Sequence, residues 1–174
     1  MDLKSKIRRI PEFKGVVFWD ITPLLKNSHA FRECIKRLAD HWRERNVDVV
    51  VSSEARGFIF GAVLAYELGV GFVPIRKKGK LPSTSVNLTY HKEYESDTIE
   101  IHEDSIEPGQ KVLLIDDLLA TGGTIKANVQ LVEKLGGKIV GIGFLIELDY
   151  LHGRETLGDK YEVFSLINCK TPDG

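Results

Sequence analysis

The sequence predicts an α/β protein, a parallel sheet flanked by helices. Three observations predict it. Four apolar runs, Val47–Val51, Gly71–Ile75, Val112–Ile115 and Lys138–Ile146, are each short enough to be one buried strand. Segments with helical spacing lie between them, one reaching to about Leu68 and one carrying Ile125, Val129, Val132 and Leu135. The turns that follow the runs hold glycine and charged residues, as expected of ligand loops at the carboxyl ends of parallel strands. Strands alternating with helices imply right-handed crossovers in one sheet.

The chain in order supports this. Ile7 and Ile10 lie in a charged segment that reads as a short helix stopped near Pro11. Gly15 permits a turn, and Thr22-Pro23 reads as a helix cap followed by proline at the first helical position. Ala30, Phe31, Cys34, Ile35, Leu38, Ala39 and Trp42 recur at helical spacing and read as scaffold. His29 and His41 read as solvated. From Leu81 to His102 the chain is long, polar and mixed, with Thr84, Val86, Leu88 and Tyr90 alternating with polar residues. A second extended run, Thr98 to His102, follows a Ser96-Asp97 turn. This predicts a flexible two-stranded excursion outside the core, the kind of segment that forms lids. Val163 to Ile167 reads as a last short strand.

With 174 residues, the chain suits one domain. A net charge of −1 gives no bias toward nucleic acid or membrane. The two cysteines, Cys34 and Cys169, make neither a metal spacing nor a disulfide framework. The first ten residues are charged and read as no signal peptide, and no run suits a membrane span. The expected location is the cytoplasm.

The chemistry concentrates in Val112 to Ala127. An apolar strand ends in Asp116 and Asp117, a small-residue loop follows from Ala120 to Thr124, and a helix begins there. Gly122 and Gly123 let backbone N–H groups approach a ligand, with the positive end of a helix behind them, so a phosphate is the natural guest. Thr121 and Thr124 add hydroxyl donors. The two carboxylates would repel a phosphate unless they hold sugar hydroxyls or the water shell of a magnesium ion. Phosphate plus vicinal hydroxyls describes a ribose 5-phosphate. No Walker A lysine follows, and the loop is not GxGxxG. Arg56 and Gly57, in the loop after Val47–Val51, make a second candidate anion site. Arg76 to Lys80 carries four positive charges that would attract an anionic substrate.

The run from Asp116 to Thr124 resembles the phosphoribosyl pyrophosphate signature of the type I phosphoribosyltransferases, and its full length resembles the adenine-specific members. The resemblance extends from about Ile10 to about Leu166. It implies that Glu54, Ala55 and Arg56 hold pyrophosphate, with Lys80 nearby, and that Arg76 reaches the neighbouring subunit's site in a homodimer. It implies that Val17, Phe18, Trp19 and Leu148 bind the purine, largely through backbone groups. By residues alone Val17, Phe18 and Trp19 would be core packing, and Trp19 stands where most relatives carry arginine. Glu93 becomes the candidate for proton transfer with the base, and Tyr94 for ordering the sugar phosphate. The Gly153–Leu157 stretch also matches. The implied architecture is a single domain over 1–174. Its small hood comes from about 1–26 and the C-terminal segment, with the last strand in it, and its flexible loop covers about 81–102.

The implied reaction is adenine plus phosphoribosyl pyrophosphate giving AMP and pyrophosphate. Magnesium arrives on the substrate and no residue ligates it directly. Asp116, Asp117, Arg56 and Glu93 form the catalytic set. Two alternatives remain: the same transfer to hypoxanthine or guanine, and a non-catalytic nucleotide sensor on this fold.

Overall fold

The computed structural model describes residues 1–13, 15–91 and 96–173, with residue 91 by its backbone only. After a single turn at Lys4–Lys6, the chain forms β1 (Arg8–Phe13) and β2 (Val16–Asp20), an antiparallel ribbon joined at Gly15. The short helix expected before Pro11 is therefore a strand. Its register slips between Ile10 and Phe13. Proline is tolerated at such irregularities and on edges, and a two-stranded ribbon is all edge. Helix α1 (Thr22–Lys26) has Thr22 inside it rather than capping it, and Asp20 Oδ1 accepts from the Thr22 N–H at 2.9 Å. Helix α2 (Ser28–Trp42) is capped by Asn27, whose side chain accepts from the Ala30 N–H. It buries the apolar stripe read from the sequence, Ala30 through Trp42.

The remaining elements are β3 (Val49–Ser53), α3 (Arg56–Leu68), β4 (Gly71–Lys77), β5 (Ser85–His91), β6 (Ser96–His102), β7 (Lys111–Leu119), α4 (Gly123–Lys134), β8 (Lys138–Leu148) and β9 (Val163–Cys169). One seven-stranded sheet runs in the order β5-β6-β4-β3-β7-β8-β9. The five strands from β4 to β9 in that order are mutually parallel, and β6 and β5 add on antiparallel.

Strand alternation sorts the core into two layers. Val50, Leu113 and Ile115 join α2 and α3 in one apolar cluster. Val49, Val51, Val112 and Leu114 join α4 in the other. Two expectations change here. Ile99 and Ile101 of β6 are buried in the second cluster, so the base of the two-stranded excursion is core. The last strand, expected in the hood, is an edge of the main sheet beside β8. Residues after it hydrogen-bond to the ribbon, where Pro172 O and the Asp173 carboxylate accept from Arg9.

The order of the strands locates the site. From β3 the chain crosses through α3 to β4 on one side, and from β7 it crosses through α4 to β8 on the other. The direction in which successive strands are added therefore reverses between β3 and β7, the place where loops diverge and leave a crevice. The β3–β7 ladder stops at Val51 and Leu114, although both strands continue, to Ser53 and Leu119. Asp116 and Asp117 lie just beyond that last paired rung.

Candidate active site

Strand β7 is longer than the sequence suggested, and its pairing with β8 runs on to Leu119. The acidic pair is thus held in a strand rather than a loose turn. Asp117 is 5% exposed, and Asp116 is partly exposed as a residue while its carboxyl group is enclosed by Ser53, the Asp117 N–H and Gly57. Asp116 Oδ2 accepts from Ser53 Oγ at 3.0 Å, and its Oδ1 accepts from the Asp117 N–H at 2.9 Å. Arg56, the first residue of α3, brings Nε to 2.8 Å from Asp117 Oδ2. This contact is an ion pair without hydrogen-bond alignment, so Asp117 Oδ2 has no hydrogen-bond donor among the described residues. A buried carboxylate oxygen in that condition can still accept a hydrogen bond from a donor that reaches it.

Electrostatics point the same way. Burial raises the Asp116 carboxyl well above its ordinary value, and the neighbouring Asp117 charge adds to the rise. Burial also raises Asp117, opposed chiefly by Arg56. Two carboxylates so placed resist ionising together without donors. At the mouth of the crevice the Phe18 ring lies 5.3 Å from the Arg56 guanidinium carbon, which brings the ribbon to the anion loop.

The loop after β7 has a different construction. Gly122 has φ +87°, a left-handed conformation that glycine adopts without strain. A Cβ there would lie 2.1 Å from Thr156 Oγ1 and 2.5 Å from Gly153 O. The Gly153–Thr156 segment therefore braces the loop from behind. Gly123 and Thr124 open α4, and the Thr124 hydroxyl lies 3.2 Å from the Tyr90 hydroxyl of β5. Free backbone N–H groups at this helix start can receive an anion.

The structure gathers Arg56, Asp116, Asp117, Phe18 and the Ala120–Thr124 loop around one crevice. Glu54 follows β3 directly, with a cis peptide to Ala55. Its carboxylate accepts from Arg76 Nε at 2.6 Å and from the Lys77 N–H at 3.0 Å. Burial would raise Glu54, but the bonds from Arg76 and Lys77 outweigh it and hold the carboxyl below its usual range. Arg76 therefore sits beside the Arg56 loop in its own chain. The Lys80 N–H donates to Glu100 rather than to anything in the crevice. Trp19 is 6% exposed, with Nε1 unpartnered among the described residues, and its indole belongs to the core. Leu148 and half-buried Val17 pack in that same cluster. Glu93 and Tyr94 lie outside the described residues. Sequence reasoning missed Ser53 and Asn128, which support Asp116. The available signal was a polar residue, Asn128, on the apolar stripe of α4.

The switch point with its acidic pair, arginine loop and glycine-opened helix lies within residues 20–172, which match the family model described as phosphoribosyl transferase domain. An adenine phosphoribosyltransferase of Acidobacterium capsulatum is 55% identical over 168 residues, covering 95% of this chain and 92% of that protein. The crystal structure of the adenine phosphoribosyltransferase from Thermoanaerobacter pseudethanolicus superposes with a TM-score of 0.93 at 51% identity, covering 97% of this chain and 98% of that one. The Saccharomyces cerevisiae enzyme, solved with an imino-altritol bisphosphate and adenine, gives 0.88 at 41% identity, covering 95% and 96%. The chain belongs to the adenine phosphoribosyltransferase family.

Proposed function

We infer that the protein transfers the 5-phosphoribosyl group of phosphoribosyl pyrophosphate to adenine, releasing pyrophosphate and forming AMP. The observation that carries this reading is Asp117. One of its oxygens is buried without a hydrogen-bond donor among the described residues, and it lies 2.8 Å from Arg56 beside a loop opening α4. A hydroxyl acceptor, a pyrophosphate donor and a phosphate seat thus stand side by side.

In this reading Asp116 and Asp117 accept hydrogen bonds from the ribose hydroxyls, and those donors let both carboxylates ionise. Ala120, Thr121, Gly122, Gly123 and Thr124 hold the 5′-phosphate. Binding energy from this remote group orients the anomeric carbon. Arg56, with Glu54 and Ala55 shaping its loop, turns from Asp117 to the departing pyrophosphate. Charge developing on that leaving group is where preorganised donors have their largest effect. The substrate is taken as its magnesium complex, in which the metal offsets pyrophosphate charge and keeps several waters.

Adenine would lie against Phe18, Val17 and Leu148, contacting the main chain of Trp19 because the indole is buried. Glu93 would exchange the purine proton and Tyr94 would order the sugar phosphate. Arg76 and Lys80 would serve the pyrophosphate side, Arg76 across a homodimer. No described helix is long and apolar enough to cross a membrane. The reading implies purine salvage in the cytoplasm.

The test is a magnesium-dependent assay with phosphoribosyl pyrophosphate and equal adenine, hypoxanthine and guanine. Selective AMP and pyrophosphate formation is expected. IMP or GMP instead would overturn the base assignment. Tight ligand binding with no turnover would replace the enzyme by a sensor.

A further inference from the structure

Asn128 lies on the buried face of α4 and is 1% exposed. The other buried residues of that helix are Ile125, Ala127, Val129, Leu131 and Val132, all apolar. A buried amide costs stability unless it is hydrogen-bonded. Asn128 is only half satisfied: Nδ2 donates to Ser53 Oγ at 3.1 Å, while Oδ1 has no partner among the described residues. Ser53 Oγ in turn donates to Asp116 Oδ2 at 3.0 Å. A hydroxyl has one proton. Once it is given to the carboxylate, the serine oxygen has only lone pairs left, which is why the amide must donate.

The same carboxylate is bounded elsewhere. The Asp117 N–H holds Oδ1, and a Cβ on Gly57 would come within 2.6 Å of that oxygen. Asp116 is therefore set by β3, α3 and its own strand, with α4 acting through Ser53. Helix α4 also begins with Gly123 and Thr124 of the anion loop, and Thr124 lies one turn before Asn128 on the same face.

We propose that Asn128 is a positioning residue, fixing the Asp116 carboxylate through Ser53 so that one rigid helix sets the distance between the 5′-phosphate seat and the ribose hydroxyls. This rests on the transferase reading. The amide touches no substrate, and its effect passes through the serine hydroxyl.

The experiment is steady-state kinetics in both substrates for Asn128→Leu, Ser53→Ala, Ser53→Thr and the Ser53→Ala/Asn128→Leu double variant, with direct calorimetry of phosphoribosyl pyrophosphate binding. Asn128→Leu should lower kcat/KM for phosphoribosyl pyrophosphate about tenfold, the scale of one lost buried hydrogen bond, and leave the KM for adenine unchanged. Ser53→Thr, which keeps the hydroxyl, should stay near wild type, and the double variant should be no worse than Ser53→Ala alone. Multiplying losses in the double variant, equal losses toward both substrates, or an unaffected Asn128→Leu would overturn the proposal. If Asn128→Leu does not fold, Asn128→Ala makes the same comparison. Should the wild type bind phosphoribosyl pyrophosphate without turnover, the transferase reading fails. The same non-additive pattern in binding would then still support the positioning role, and additive losses would overturn it.

Discussion

The loop after β3 and the loop after β7 face one crevice but are built on opposite plans. The first is charged, and its charges are already engaged: Glu54 by Arg76 and the Lys77 N–H, Arg56 by Asp117. The second, Ala120 to Thr124, is uncharged and small, shaped by a left-handed Gly122 and braced by Gly153 and Thr156. A ligand entering the second meets the backbone N–H groups that open α4, beside the Thr124–Tyr90 hydroxyl pair. A ligand entering the first must win Arg56 from Asp117. In the proposed reaction the group that stays on the sugar would thus enter the uncharged loop, and the group that leaves would enter the one whose arginine must exchange partners.

Four measurements sharpen or break this contrast. Asp117→Asn should have the largest effect, a drop of roughly hundredfold in kcat/KM for phosphoribosyl pyrophosphate, the scale of a misplaced reacting centre. Near-normal kinetics would move the ribose hydroxyls elsewhere. Gly122→Ala puts a side chain into a left-handed residue and against Thr156. It should cost about 1–3 kcal/mol in urea unfolding, and an unchanged midpoint would mean that the brace yields. Arg56→Lys keeps charge but loses the planar fork. A KM increase of about tenfold for phosphoribosyl pyrophosphate is expected, with adenine little affected. An effect confined to adenine would place Arg56 with the base.

The last measurement is stability against pH, to which Asp20 and Asp116 should contribute with opposite slopes. The Asp20 carboxyl is pulled from 3.8 to about 2 by hydrogen bonds from Thr22 and Arg8. Its contribution is present above 3.8 and lost as pH falls toward 2. Asp116 is raised, so the free protein loses that contribution as pH rises above the ordinary carboxylate range. Thermal melts across pH should show Asp20→Asn flattening the acid side and Asp116→Asn flattening the other. Parallel changes in both variants would contradict these assignments.

The β7 motif was legible because it is local: strand, acidic pair, loop and helix follow one another within sixteen residues, Val112 to Ala127. The strand at Pro11 was not, because pairing with β2 overrides a pattern that ends at proline. Strand β9 looked separate because only short 3-10 segments, Asp149–Leu151 and Gly153–Lys160, connect it to β8, so no helix announced another sheet strand. Ser53 and Asn128 were invisible as a pair because 75 positions separate them. Nothing in either local pattern says that the serine ending one strand lies under the helix of the next unit. Trp19 was assigned to the base by resemblance, and its indole joins the apolar cluster that also holds Ile21 and Leu24, which the local sequence does not announce.

Gly57 has a consequence for time rather than for shape. Its α-carbon stands so near Asp116 that α3 has no clearance to slide toward β7, not even by a methyl group. Under the proposed function Arg56, one residue earlier, would therefore change partners by turning its side chain, which is 39% exposed, without shifting the helix. Rotamer changes of exposed side chains take picoseconds to nanoseconds. In the proposed reaction the exchange from Asp117 to pyrophosphate would then wait on no helix movement.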